Sequence, residues 1–390
     1  MSETDVKSAD EPYVANGTYR SLKTRFFLQA QIVLAALLAW FTGKPDKHQE
    51  PLLRLSGLQL FAISLATLFA SSYAAGWLIH NFSGYPWVWP SIAFLVLVNV
   101  GRLRALGVVF AHHASHGAVS PQRWVNRSVA GIASAIALVE SPADYKAAHV
   151  QKHHRSAIFT TEEDPDAQFL LTMGFRPGMT KSQLWWQLAW SVVSVKFHAT
   201  FLEERLKSSL LRSEGGFRIF AVMWMATIVM LGLILPLHVW LIVVVLPMTF
   251  LYQISALLQF VSEHPWLAEA RAPQSTEQYM DRCWARFCGD PLPSARGLSC
   301  ESIGAWAIWI VRLVMHAVVR ISVLVGDLPV HDVHHLAGHM RLNLSSWRTA
   351  IFDRQHHIDQ GDQCGLGARE IWGLDKAIDR VFLGMAARTA

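Results

Sequence analysis

The sequence predicts an all-α integral membrane protein: about four transmembrane helices, further helices lying in the membrane interface, and a histidine-rich cytoplasmic cap. Three observations carry this. The chain of 390 residues is 52% hydrophobic and only 16% charged, with mean hydropathy +0.26; soluble domains carry about 25% charge. Four apolar runs approach or exceed the roughly 20 residues that cross a bilayer. Many of the 18 histidines crowd into short clusters beyond the ends of those runs.

In chain order, residues 1–25 form a polar tail of mixed charge without a signal-peptide cleavage site, so insertion is expected to depend on internal spans. The run 26–43 is short, contains Gln29 and Gln31, and has basic residues on both sides (Arg20, Lys23 and Arg25; Lys44, Lys47 and Arg54). The positive-inside rule then puts both flanks in the cytoplasm, which favours an interfacial or re-entrant helix over a fifth span. The four spans are 57–79, 88–109 (with Arg102 and Arg104 near its end), 217–235 and 238–260, the last two forming a hairpin at Pro236–Leu237. The connections at 80–87 and near Pro236 lack Lys and Arg and read as external. The basic stretch 111–218 and everything after 260 read as cytoplasmic. Two further helices are expected to lie on the membrane. Residues 183–205 carry Trp185, Trp186 and Trp190. Residues 304–326 are apolar except for Arg312, His316 and Arg320, which share one helix face. The domain organisation read from this pattern is a tail (1–25), a membrane domain (26–335) and a cytoplasmic C-terminal segment (336–390).

Composition also excludes. The net charge is +5, but Lys and Arg form short clusters beside apolar segments, not a nucleic-acid-binding run. The four cysteines contain no C-x-x-C pair, which argues against a zinc ribbon, a rubredoxin-like module or a disulfide framework.

The chemistry lies in three clusters: His112-His113-Ala-Ser-His116, His149-Val-Gln-Lys-His153-His154 and His331-Asp-Val-His334-His335. His264 stands between the second and third, just after the last span. Residues three or four apart share a helix face. The pairs His112/His116 and His149/His153, and the set His331/His334/His335, are therefore each expected to converge on one ion. Imidazole suits iron, zinc, copper and nickel, and eight or nine imidazoles are too many for one ion, so two ions are the natural reading. If the helix from 88 to 116 is continuous, it runs about 43 Å at 1.5 Å per residue and projects beyond a core of about 30 Å. All clusters can then meet on one face. Only one of His112 and His113 has the spacing to pair with His116. His48, His80, His198, His238 and His316 read as structural, and His339, His356 and His357 as surface or outer groups.

The three boxes, HHASH, HVQKHH and HDVHH, resemble the signature of the membrane fatty-acid desaturase and hydroxylase superfamily. The resemblance implies a helical membrane fold and a non-haem di-iron centre, two iron ions held by His112, His116, His149, His153, His154, His264, His331, His334 and His335. It also implies O2-dependent desaturation or hydroxylation of a lipid, most simply a fatty acyl chain. A carotenoid ketolase or hydroxylase, or a hydroxylase of a smaller specialised metabolite, shares these boxes. His264 stands where acyl-CoA desaturases carry an additional ligand. The Asn usual before it is missing, and Gln259 lies five residues upstream. Carboxylates expected to orient ligand imidazoles by accepting their other N–H are Glu140, Asp144, Asp164, Asp166, Glu263 and Asp332. Such chemistry needs electrons. The sequence has no haem, rubredoxin, Rieske or G-x-G-x-x-G signature, so a separate donor of ferredoxin, rubredoxin or cytochrome type, with its reductase, is expected to dock on the basic cap. Three rival classes are disfavoured. A zinc hydrolase would bring H-E-x-x-H. A haem electron-transfer protein would place His within paired spans. A transporter would break its spans near the midplane.

Overall fold

The computed structural model describes residues 15–294 and 300–388; residues 1–14 of the expected tail lie outside the described residues. Helix α1 (Ala15–Thr42) is already helical within the segment read as tail. From Phe27 onward it exposes apolar side chains such as Leu34 and Leu37, and its end is tied to the cap: the Thr42 carbonyl accepts from the Cys288 N–H, and Trp40 O accepts from Arg320 Nε at 2.6 Å.

Helix α2 (Gly57–Phe82) starts at a capping box in which Ser56 and Gln59 satisfy each other's backbone N–H. Helix α3 (Pro86–Ser115) is continuous, so the first histidine cluster rides on the end of a span. It changes winding on the way: Leu106–Ala111 is a π turn leading directly into His112–Ser115. Helix α4 (Arg123–Ile136) buries one face against that turn. Helix α5 (142–153) begins at Ser141, whose hydroxyl caps Asp144 N, and is π-wound over Lys146–His153. Helix α6 (Pro165–Thr172) is capped by Asp164.

The interfacial helix expected over 183–205 is two helices, α7 (Lys181–Val193) and α8 (Val195–Leu206). Ser194 takes an extended backbone (ψ 116°) and its hydroxyl caps Phe197 N, which starts a new helix in place of continuing the old one. Helices α9 (Gly215–Ile234) and α10 (Leu237–Glu263) form the expected hairpin. Pro247, which has no N–H to give, lies within α10 where the winding is π on both sides.

Beyond α10 comes the cap. Helix α11 (Thr276–Asp281) leads to strand β1 (Ala285–Phe287), which pairs in parallel with β2 (Glu370–Trp372). These two short strands are absent from an all-α expectation. Helix α12 (Cys300–Ser322) is followed by α13 (His331–Leu336), α14 (Ala350–Asp359) and α15 (Leu374–Ala387).

Among the described residues, five helices are long and apolar enough to cross a membrane: α2, α3, α9, α10 and residues Glu301–Ser322 of α12. The last is one more than the sequence reading counted. Its basic residues do not spoil its apolarity because they sit on one face and are paired. Arg312 donates to Asp290 at 2.6 Å, His316 meets Asp290 at 2.8 Å, and Arg320 binds the carbonyls of Trp40 and Gly326. The opposite face, with Ile310, Val311 and Val314, is exposed. The two short connections lie at one end of the helices, since Ile79, Val88 and Val239 pack in one apolar cluster. The histidines lie towards the other end.

Candidate metal centre

Two groups of four imidazoles converge in the cap. In the first, ring nitrogens of His112, His116, His149 and His334 all lie within 4.8 Å of one another; in the second, those of His153, His264, His331 and His335 do. His154 stands at the edge of the first, its Nε2 3.0 Å from His149 Nε2 and 2.9 Å from His334 Nε2. Its ring also lies 4.6 Å from that of His335, so the two groups adjoin. All nine histidines singled out in the sequence come together here.

The pairing by spacing holds for His112/His116 and for His331/His335, and His149 and His153 also come together in a third set with Asp166. His149 belongs to the first group and His153 to the second; His334 turns to the first group, away from His331 and His335. The second box, π-wound over 146–153, stands between the two groups, its His149 and His153 rings stacked with centroids 4.9 Å apart. In the third box, positions three and four beyond His331 diverge enough to serve different groups.

The ring nitrogens meet as lone pairs would around a cation. His112 Nε2 is 2.9 Å from His334 Nε2, His331 Nε2 is 3.1 Å from His335 Nε2, and His153 Nε2 is 3.4 Å from His335 Nε2. The outer nitrogens of four of these rings are engaged by other groups. Nδ1 of His112 meets the Tyr145 hydroxyl at 2.8 Å. That of His335 faces Tyr279 at 3.0 Å, that of His264 the Arg282 carbonyl at 2.8 Å, and that of His153 the Asp164 carboxylate at 3.0 Å. An imidazole donating through Nδ1 presents a bare Nε2. His264 Nε2 in the second group is such an atom, buried with no hydrogen-bond partner, and His116 Nε2 in the first group is also buried without one. A buried unpartnered acceptor costs about 1–3 kcal/mol, and a metal ion in each group would remove that cost. The residues therefore fit two ions.

Electrostatics separates most of these histidines from one. Burial and then neighbouring imidazoles hold His149, His264, His331, His334 and His335 well below the ordinary histidine value, so they are neutral and ready to ligate. His116 is lowered to about 4, by burial first and then His113 and Lys146. His153 differs: burial lowers it, but Asp166 and Asp164 outweigh burial and carry it up to about 9. Of the six carboxylates named from sequence, Asp164 and Asp166 face His153 and Glu263 Oε1 lies 3.4 Å from His331 Nε2. Asp332 instead pairs with Arg354 at 2.9 Å, and Asp144 takes the Ser141 hydroxyl at 2.7 Å. Tyr145 and Tyr279 were not foreseen. His113 is turned away, bonded to Asp327 at 2.9 Å and stacked on Trp347.

A cleft of about 1380 Å³ ends on His116. Arg123, Arg127, Lys146 and Arg212 line it together with Ile132, Phe217 and Phe220. A smaller pocket of about 140 Å³ reaches His116, His154 and His334 from the side of Trp347.

Among known proteins, the family model described as fatty acid desaturase matches residues 86–292, more than half of the chain. The match holds the first two histidine boxes and His264; the third box lies beyond it and is tied to the others by the geometry above. No protein of curated function and no solved structure matches the chain.

Proposed function

The chain belongs to the fatty acid desaturase family, and we propose that it is a membrane-bound non-haem di-iron oxidoreductase that uses O2 to desaturate or hydroxylate an unactivated C–H position of a lipid. The single observation that supports this most is the pair of adjoining four-imidazole groups, each with one buried, unpartnered Nε2. Two irons bound there would supply O2 activation.

The chain's own residues do the rest. His112, His116, His149 and His334, with His154 beside them, would hold one ion, and His153, His264, His331 and His335 the other. The Asp164 carboxylate and the Arg282 carbonyl, which only accept, hold a proton on Nδ1 of His153 and His264, and the Tyr145 and Tyr279 hydroxyls orient the rings of His112 and His335. The cleft ending on His116 is the substrate route in this reading. Its aromatic rim at Phe217 and Phe220 belongs to span α9, so a lipid chain can enter from the bilayer without crossing water. The histidine-rich cap faces the cytoplasm, where a separate ferredoxin, rubredoxin or cytochrome with its reductase delivers electrons to the basic surface.

The test is purification in detergent after expression in iron-rich medium, metal analysis, and reconstitution with lipid, O2 and a reducing system. The expected outcome is two irons per chain and a lipid product that has lost two hydrogens or gained one oxygen, absent from a His149→Ala, His153→Ala variant. Zinc without iron in repeated preparations overturns the reading.

A further inference from the structure

We propose that the cleft ending on His116 takes its lipid by an anionic head, a carboxylate or a phosphate, held by Arg123, Arg127 and Lys146, with the tail running along α4 towards span α9. The inference rests on the reading of this cleft as the substrate route and names the chemistry of what enters it.

Charge is the first argument. Arg123 and Arg127 stand one turn apart on the same face of α4, and both line the cleft. Like charges at this spacing repel, and cations near a helix N-terminus oppose its dipole. Helix α4 contains no Asp or Glu that could offset either effect. Among the described residues, no hydrogen bond or ion pair engages the side chain of Arg123, Arg127 or Lys146. The fourth cation of the wall, Arg212, is already paired with Glu204. Two carboxylates, Asp144 and Glu214, also line the cleft, and Asp144 takes the Ser141 hydroxyl at 2.7 Å. An anion between the unpaired cations would turn their repulsion into attraction, and the guanidinium forks suit a carboxylate or a phosphate.

Shape is the second. The row 123, 127, 131 of α4, about 12 Å long, ends at Gly131, where a Cβ would meet open space. The same is true of Gly216 near the start of α9. The wall thus passes from guanidinium groups to bare backbone and then to Ile132, Phe217 and Phe220. An acidic protein surface would need the cations on an open face; here they lead into an apolar groove, which is the pattern of a charged head with a hydrocarbon tail. The volume of about 1380 Å³ exceeds the roughly 300–1,000 Å³ of small-ligand sites, as a long chain requires.

Direction is the third. The short loop 117–122 joins His116 to Arg123, so the cationic end of α4 is the end beside the metal centre. Burial, His113 and then Lys146 lower the basicity of His116, so the ammonium group also lies near that ring. Phe217 and Phe220 belong to span α9. The head therefore sits beside the histidines and the tail points to the bilayer, which brings carbons near the head, not the methyl end, closest to the metal centre.

The experiment uses the full chain in nanodiscs of zwitterionic lipid, without added metal or reductant. Displacement of a fluorescent long-chain carboxylate is measured with hexadecanoate, hexadecyl phosphate and hexadecanol at equal membrane concentration. The anions are expected to compete at least about tenfold better than the alcohol, and the ratio between them separates a carboxylate head from a phosphate head. In the Arg123→Gln, Arg127→Gln variant this preference should fall about tenfold with alcohol binding unchanged. Gly131→Phe, which fills the groove beyond the head, should weaken all three. A diazirine at the methyl end of the carboxylate should crosslink to the start of α9, and one beside the carboxyl to residues 114–127. An alcohol that competes as well as the anions overturns the proposal. So does an arginine variant that keeps the preference or weakens acid and alcohol alike, and so does the reversed crosslinking pattern. Metal and turnover do not enter these measurements. A chain with the anion preference that yields no lipid product overturns the desaturase reading alone, and a chain that yields product without the preference overturns this proposal alone.

Discussion

At the scale of single residues, the outer partners of the imidazoles carry the first prediction. Tyr145→Phe removes only the hydroxyl facing His112 Nδ1. The ring can then rotate or change tautomer, and metal affinity at the first group should fall about 10–100-fold, read as Co2+ or Fe2+ occupancy at fixed free metal. Unchanged occupancy would mean that packing alone fixes the ring. A second prediction concerns pH. Glu140, half-buried between Asp144 and Arg212, is raised to about 7 by burial first and by Asp144 second. A carboxyl whose folded value lies above its unfolded one adds stability below about 4.5, and that stability is lost as pH rises through about 7. Glu140→Gln should therefore raise the apparent Tm at pH 8, by the equivalent of about 1–3 kcal/mol, and leave it little changed at pH 5. His264 stood out by its place just after the last span and by the family resemblance, and the other eight histidines were legible in the sequence because clustering at short spacing is a local signal. Tyr279 was not, because it meets His335 across 56 positions and no local pattern marks it. The six carboxylates divided for a similar reason: proximity in sequence to a box does not fix direction, and Asp332, adjacent to His331, points to Arg354.

At the scale of elements, hydropathy located four of the five candidate spans within a few residues, since length and apolarity are properties of a run, while Arg312, His316 and Arg320 made the fifth read as interfacial. It could not locate the changes of winding inside them. The π turns at Leu106–Ala111 and Lys146–His153 precede or contain ligands, and in the second His149 and His153 each join a different four-imidazole group while staying close enough to share a third set with Asp166. The break at Ser194 was likewise hidden, although its hydroxyl cap is visible once the backbone is known. Packing between elements makes a sharper prediction. Gly101 on α3 lies so close to α12 that an added Cβ would stand 2.0 Å from the Ile321 carbonyl oxygen. Backbone, not a flexible side chain, blocks it. Gly101→Ala should therefore push α12 off α3 and cost about 1–3 kcal/mol, seen as a lower apparent Tm in detergent. A neutral result would mean that α12 is only loosely seated, as its exposed apolar face would allow in lipid.

At the scale of the whole molecule, the two ends of the helix bundle differ in what they carry. Helices α3 and α10 both run from the end marked by Val88 and Val239 towards the histidines, so all the boxes share one face whichever way the protein sits in the bilayer. Charge then sets the direction. The connections at 80–87 and near Pro236 contain no Lys or Arg, while the cap carries Arg123, Arg127, Lys146 and Arg212 around the cleft alone. The positive-inside rule is the basis for the cytoplasmic cap we propose. Cysteine labelling can read this directly, because Cys283, Cys288 and Cys364 are buried and only Cys300 need be replaced by Ser. Gly84→Cys is suited to the short connection, since a Cβ there meets open space, and Glu277→Cys is suited to the exposed surface of α11 in the cap. A membrane-impermeant maleimide should label Gly84→Cys in intact cells and Glu277→Cys only after permeabilisation. Labelling of both from the same side would contradict the span count between them. The reverse pattern would leave the fold intact and put the cap outside the cell, where a cytoplasmic electron donor could not reach it.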